Sequence, residues 1–164
     1  EFRRVLFRSS QDLGPSPLSH QADVRLSCLP RLPTKKRLSW PSYLDNTVAG
    51  GITSGDLPRE SVIRECAEEA SLPPSFVSSA IRAVSVLSYT YRTEHGWIQP
   101  EVQYIYDLPL PADGSVVPST NPDDGEVESF ELMELEGVVR RMVEGEFKPN
   151  CAMVGPFFHA AEWY

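Results

Sequence analysis

The clearest hydrophobic period in the chain falls between residues 58 and 72. Val62, Ile63, Cys66, Ala67 and Ala70 recur at three- and four-residue spacing, which predicts a helix with one apolar stripe. Pro58 suits the first turn of that helix, and Leu72-Pro73-Pro74 ends it, because proline cannot continue a helix interior. Ser75 can cap a short second helix that runs through Ala83. Residues 84–92 then alternate, with Val84, Val86, Ser88 and Thr90 against Ser85, Leu87, Tyr89 and Tyr91, which predicts a strand. Thr93-Glu94-His95-Gly96 reads as a turn, and residues 97–108 as a second strand, interrupted by Pro100 and so placed near an edge or a bulge. The pair forms an antiparallel hairpin. Residues 109–124 read as a loop. Residues 126–133 alternate again and predict a third strand of this half. Residues 134–144 carry Leu135, Val138, Val139, Met142 and Val143 on one helical face. A loop and a terminal helix are expected over 147–157.

The pattern is mixed α and β, an α/β (α+β) chain with antiparallel hairpins and no internal repeat. Residues 1–33 stand apart from it. The first ten are basic and apolar without a period, and residues 11–33 are rich in Pro, Ser and Leu. They are expected to form a disordered or non-native arm, with Val24-Arg25-Leu26-Ser27-Cys28-Leu29 as its one weak strand candidate. The domain proper is expected over 34–164.

The chemistry lies on the polar side of the 58–70 helix. Glu65, Glu68 and Glu69 stand at i, i+3 and i+4, one turn apart on a shared face. Three like charges repel by roughly a few tenths of a kcal/mol per exposed pair. A solvated acidic face is the ordinary explanation of such a run. A divalent cation turns the repulsion into attraction, and Mg²⁺ or Mn²⁺ favours oxygen ligands. The loop in front changes the balance. Gly50, Gly51 and Gly55 in Ala49-Gly50-Gly51-Ile52-Thr53-Ser54-Gly55-Asp56 let backbone approach a ligand closely. Arg64 can pair with Glu68 four residues on, or with Asp56 across the loop.

This run resembles the signature of the Nudix hydrolases: Gly, five residues, Glu, seven residues, Arg-Glu, an aliphatic residue, any residue, Glu-Glu, any residue, Gly and an aliphatic residue. Gly50, Arg64, Glu65, Glu68, Glu69 and Leu72 match in register. Asp56 stands where Glu is usual, Ser71 where Gly is usual, and Cys66 replaces the aliphatic residue. Asp56 keeps the carboxylate with one methylene less reach. Ser71 must leave the helix without glycine's conformational freedom. The resemblance implies an α/β/α sandwich with a curved mixed sheet between helices. It extends over roughly residues 34–154. The runs Trp40-Pro41-Ser42-Tyr43-Leu44-Asp45-Asn46-Thr47-Val48-Ala49-Gly50-Gly51, Gln99-Pro100-Glu101-Val102-Gln103-Tyr104-Ile105-Tyr106-Asp107-Leu108 and Gly145-Glu146-Phe147-Lys148-Pro149-Asn150-Cys151-Ala152 look like the thiamine-pyrophosphokinase-related members. Those members are associated with hydrolysis of thiamine diphosphate and its oxo and oxy analogues to the monophosphates. They also carry a longer N-terminal region that helps form the substrate pocket, which the residues ahead of 34 are too few to supply.

The resemblance implies Mg²⁺ or Mn²⁺ as cofactor, held by Glu65, Glu68 and Glu69 with the carbonyl of Gly50, and Arg64 orienting the three carboxylates. Such ions neutralise phosphoryl charge, orient a water and stabilise the leaving phosphate. The residue that accepts the water's proton can come from outside the helix; Glu101, Glu126 and Glu128 are candidates. An aromatic-faced pocket has Trp40, Tyr43, Tyr89, Tyr91, Trp97, Tyr104 and Tyr106 to draw on, most of them expected in the core. Lys35 and Lys148 are candidates for phosphate contact, with a solvated surface lysine as the simpler reading. A nucleoside or prenyl diphosphate is the alternative substrate, and a non-catalytic binding module the alternative class.

Composition adds constraints. At 164 residues the chain suits one domain with a real core. The net charge of −8 disfavours nucleic-acid backbones and anionic membranes as partners. It would also repel a small-molecule diphosphate unless metal neutralises the site, so acidity and metal support each other. Cys28, Cys66 and Cys151 show no knuckle spacing, and a buried role is expected for Cys66. His20, His95 and His159 are scattered. No apolar run approaches the about 18 residues that span a bilayer. A cytoplasmic protein, monomer or homodimer, is the expectation.

Overall fold

The computed structural model describes residues 3–9, 19–25, 43–111, 113–133 and 135–154, the first two segments by their backbone. Five strands and four helices follow in chain order: β1 Arg3–Ser9, β2 Ser19–Arg25, β3 Val48–Gly51, α1 Pro58–Ala70, α2 Pro74–Ala80, β4 Arg82–Arg92, β5 Ile98–Leu110, α3 Leu135–Val143 and α4 Pro149–Val154.

β5 organises the sheet. Along one edge it pairs antiparallel with β4, from Ile98 opposite Arg92 to Asp107 opposite Arg82, with a bulge at Ala83/Ser85. Along the other edge it meets β1 antiparallel and β2 parallel. β3 lies between β1 and β2, parallel to the first and antiparallel to the second. The order is β1-β3-β2-β5-β4, a mixed sheet. Side chains alternate across a strand, so β5 serves two cores. Tyr106, Leu108 and Leu110 pack with Val48, Ile52, Val62, Cys66, Ala70, Leu72 and Val77 under α1 and α2. Ile105 points the other way, to Leu87 and to Val154 of α4. Leu44, Val138, Phe147 and Cys151 form a further cluster that ties α3 and α4 to the chain entering β3. Helices therefore cover both faces of the sheet, the α/β/α sandwich expected.

Several expectations change. β1 and β2 run through part of the arm expected to lack structure; their pairing follows the open ladder positions of β3 and β5, not a period of their own. The Val24–Leu29 candidate coincides with β2 only at Val24 and Arg25; the rest of it lies outside the described residues, as do Cys28, Lys35, Trp40, His159 and the end of the expected terminal helix. β5 is interior, not an edge. Pro100 escapes conflict because β2 joins β5 only from Glu101 onward. Residues 126–133 form no strand. Val127 is buried and Phe130 packs on the main core, so the alternation there reports one-sided burial without a ladder partner. In α3, Val138 is buried but Val139 and Val143 are exposed. Trp97 and Tyr91, expected in the core, are exposed at the hairpin end. Among the described residues no helix is long and apolar enough to cross a membrane.

Candidate active site on helix α1

The site is built where β3 runs into α1. Between them, Ile52 is buried, and Asp56 N–H bonds the Thr53 carbonyl at 2.9 Å in a turn that includes Gly55 at φ 98°. That turn swings Asp56 over the helix. Arg64, two turns further on, meets it: Nη1 to Asp56 Oδ2 is 2.8 Å. The same guanidinium lies 3.5 Å from Glu65 and 4.0 Å from Glu68. Asp56, with its shorter side chain, is thus Arg64's nearest partner, and Arg64 links the loop carboxylate to two helix carboxylates. The bond to Asp56, with the charges of Glu65 and Glu68, holds the guanidinium proton above its ordinary range.

The three glutamates are not equivalent. Glu68 is 54% exposed and Glu65 15%. Glu69 is buried, and its Oε2 accepts the Ala49 N–H of β3 at 2.9 Å. The expectation of one outer acidic face is corrected here. Glu69 follows Val62 by seven residues, which is two turns less about 20°. It therefore lies on the buried stripe and fastens α1 to β3. Among the described residues no three carboxylate, histidine or cysteine side chains converge as a metal cluster.

Gly50 sits directly beneath Glu65. A methyl group built on Gly50 would overlap the Glu65 carboxylate. Gly50 is not in the left-handed region, so close approach alone requires glycine here. Burial lifts the Glu65 carboxyl to about 7; Glu68 adds to the effect, Arg64 opposes it, and Glu126 contributes a further push. Cys66, beneath this face, is fully buried, and burial with the charges of Glu69 and Glu65 pushes its thiol well up. It is an inert core residue, as expected.

Ser71 leaves the helix at φ 53°, in the left-handed conformation for which glycine is usual, and Leu72 N–H folds back to the Cys66 carbonyl at 3.0 Å. The turn is thus made in the usual way despite the serine. The segment after β5 then comes back onto this end of α1: Ser119 N–H bonds the Ala70 carbonyl at 3.0 Å and the Asn121 amide bonds the Glu68 carbonyl at 2.8 Å. This return brings Glu126 within electrostatic reach of Glu65.

Other candidates fall elsewhere. Glu101 is buried on β5, where it accepts from the Gln103 amide at 3.3 Å; the same amide bonds Tyr89 Oη at 2.7 Å. It belongs to a separate polar group on the sheet. Glu128 is exposed. Lys148 is no surface lysine: it is buried and ion-paired with buried Asp45, whose other oxygen accepts from the Cys151 thiol at 2.8 Å. Sequence reading missed this group, and the Asn121 contact, because the partners stand 103, 106 and 53 residues apart. By sequence Asp45 stands out only through the resemblance of its run, and Lys148 also as a candidate phosphate contact, which its buried pairing with Asp45 does not favour.

The fold and this loop-helix unit define a class, and comparison with known proteins agrees. The NUDIX domain model matches residues 30–151. An uncharacterized protein of Saccharomyces cerevisiae is 40% identical over 131 residues, which cover 74% of this chain and 37% of that protein. Nudix hydrolase 24, chloroplastic, of Arabidopsis thaliana is 37% identical over 119 residues, covering 71% of this chain and 30% of its own length. Nudix hydrolase 20, chloroplastic, of the same plant is 36% identical over 117 residues, with the same shares. The crystal structure of DR0079 from Deinococcus radiodurans superposes with a TM-score of 0.54 over 95% of this chain and 82% of that one; at 19% identity it speaks to the fold alone. The chain belongs to the Nudix family, and it spans 30–37% of the length of these curated relatives.

Proposed function

We propose that the chain is a divalent-metal-dependent diphosphatase that hydrolyses thiamine diphosphate, or its oxo and oxy analogues, to the monophosphate and phosphate. One observation carries the chemistry: the buried Glu65 carboxyl rests over Gly50, with Glu68 one turn on and Glu126 within electrostatic reach, against the single guanidinium of Arg64, which Asp56 already holds. Such a charge excess suits a hard divalent cation, and the donors offered are all oxygen. Glu65 and Glu68 would hold Mg²⁺ or Mn²⁺ with the Gly50 carbonyl, and Glu69 would fix the helix from its bond to Ala49. When bound, the ion would neutralise phosphoryl charge during attack of water on the anhydride. Arg64 orients Glu65 through its simultaneous grip on Asp56. Glu126 is the favoured proton acceptor, since it lies within electrostatic reach of Glu65 while Glu101 is engaged on the sheet. Water adds to one phosphorus, the bridging P–O bond breaks, and the water's proton passes to the carboxylate.

The thiamine reading is supported by the three resembling runs, two of which meet in space: Leu44 bridges Phe147, and Asp45 pairs with Lys148. The test is incubation of the purified chain with oxothiamine diphosphate and Mg²⁺, followed by ³¹P NMR, with Glu68→Gln as control. Monophosphate and phosphate are expected from the parent alone. Turnover retained in Glu68→Gln would remove the proposed metal role. A folded parent that spares this substrate but cleaves a nucleoside or prenyl diphosphate would replace the substrate class. Binding of diphosphates without cleavage would make the chain a binding module.

A further inference from the structure

The last carbonyls of a helix have no partner within it. α1 carries no basic residue in its last turn to meet them. Two of them, those of Glu68 and Ala70, are met instead from the 113–130 segment, by the Asn121 side chain at 2.8 Å and the Ser119 N–H at 3.0 Å. Asn121 does more than donate. Its Oδ1 accepts the Asp123 N–H at 3.1 Å, and its own carbonyl accepts the Gly125 N–H at 2.9 Å, with Gly125 at φ 64°. Glu126 N–H then bonds Asp124 Oδ2 at 3.3 Å. One residue therefore holds the helix with its amide nitrogen and shapes, with two oxygens, the turn that delivers Glu126.

We propose that Asn121 is a positioning residue, latching the 113–130 segment to the Glu68 carbonyl of α1 and so keeping the Glu126 carboxylate within electrostatic reach of Glu65. The catalytic part of this inference rests on the diphosphatase reading above. The latch joins two of the charged groups that reading uses: the backbone of Glu68 on one side and the side chain of Glu126 on the other. Val127, buried directly after Glu126, anchors the far end of the turn. A carboxylate carried on a loop needs such anchorage at both ends to keep its place to within an ångström.

Asn121→Asp isolates the latch. Aspartate keeps the oxygen that accepts from Asp123 and the carbonyl that accepts from Gly125, but it has no amide to donate to Glu68. Asn121→Ala removes both side-chain bonds. Two readouts are taken on the whole chain: amide hydrogen exchange across 113–130, and kcat and KM on oxothiamine diphosphate with Mg²⁺. Exchange across the segment should accelerate about 10-fold in both variants, because the local opening costs less. For both, kcat should fall about 10-fold with KM within twofold, since misplacing a group costs rate before binding. In a Glu126→Gln background, Asn121→Asp should cost less than about twofold more, the two residues acting as one unit. Asn121→Asp with parental exchange and kcat would overturn the latch, leaving Asn121 as a turn residue only. Fully additive losses with Glu126→Gln would overturn the link to Glu126. A parent without turnover would overturn the diphosphatase reading and the catalytic role of the latch. Faster exchange in Asn121→Asp would even then uphold the contact, and unchanged exchange would overturn it as well.

Discussion

The Cα of Gly50 supports the carboxylate of Glu65, with no room between them for a methyl group. Gly50→Ala should therefore displace Glu65 without straining the backbone, since this glycine is not in the left-handed region. The expected outcome is a folded protein whose Mg²⁺-dependent turnover falls on the order of 100-fold, the scale at which a misplaced group costs rate. Circular dichroism and the rise in Tm on adding Mg²⁺ check the two halves: the spectrum should be parental and the rise smaller.

Glu65 also gives a pH dependence whose sign is fixed. Its carboxyl titrates near 7 in the folded metal-free chain, against 4.5 as its ordinary value. The folded state holds the proton more tightly, so the stabilisation is complete below about 4.5 and is lost as pH rises through about 7. The size is on the order of 2 kcal/mol. Urea unfolding in EDTA at pH 5 and pH 8 should show this difference in the parent and lose it in Glu65→Gln. Added Mg²⁺ should stabilise more at pH 8 than at pH 5, because it binds the ionised form.

Ser71 stands in a left-handed conformation at the end of α1, where a side chain costs roughly 1–2 kcal/mol. Ser71→Gly should relieve that cost, less the extra freedom glycine gives the unfolded chain. A gain of about 0.5–1 kcal/mol in denaturant unfolding is expected, with kcat unchanged. A loss of stability would show that the serine makes a compensating contact.

The buried pair of Asp45 and Lys148 joins the entry of β3 to the start of α4. Removing one partner leaves the other charge buried and unanswered, at about 3–5 kcal/mol. Asp45→Asn and Lys148→Met should each lose stability on that scale, and the double variant should recover much of it. Chemical denaturation of all four proteins closes the cycle.

Much of this protein was legible in the chain itself. Helix α1, the Leu72-Pro73-Pro74 stop, the β4–β5 hairpin and α3 each follow from local period and local breakers, which act within a few residues. The Arg64, Glu65 and Glu68 grouping was legible for the same reason, since a helix turn sets their spacing, and Asp56 could be read as a partner of Arg64 across the loop. What only the tertiary structure decided involves partners far apart in the chain. Helical period puts Glu69 on the buried stripe, but the partner that lets its carboxylate stay there, the Ala49 N–H of β3, comes from 20 residues away. Residues 126–133 alternate like a strand but found no ladder to join. Asp45, Lys148 and Cys151 became one buried group, and Asn121 became the cap of a helix 53 residues away. Period and propensity describe how a segment folds on itself. Burial of a charge, or the choice of a capping partner, depends on which surfaces the whole fold brings together.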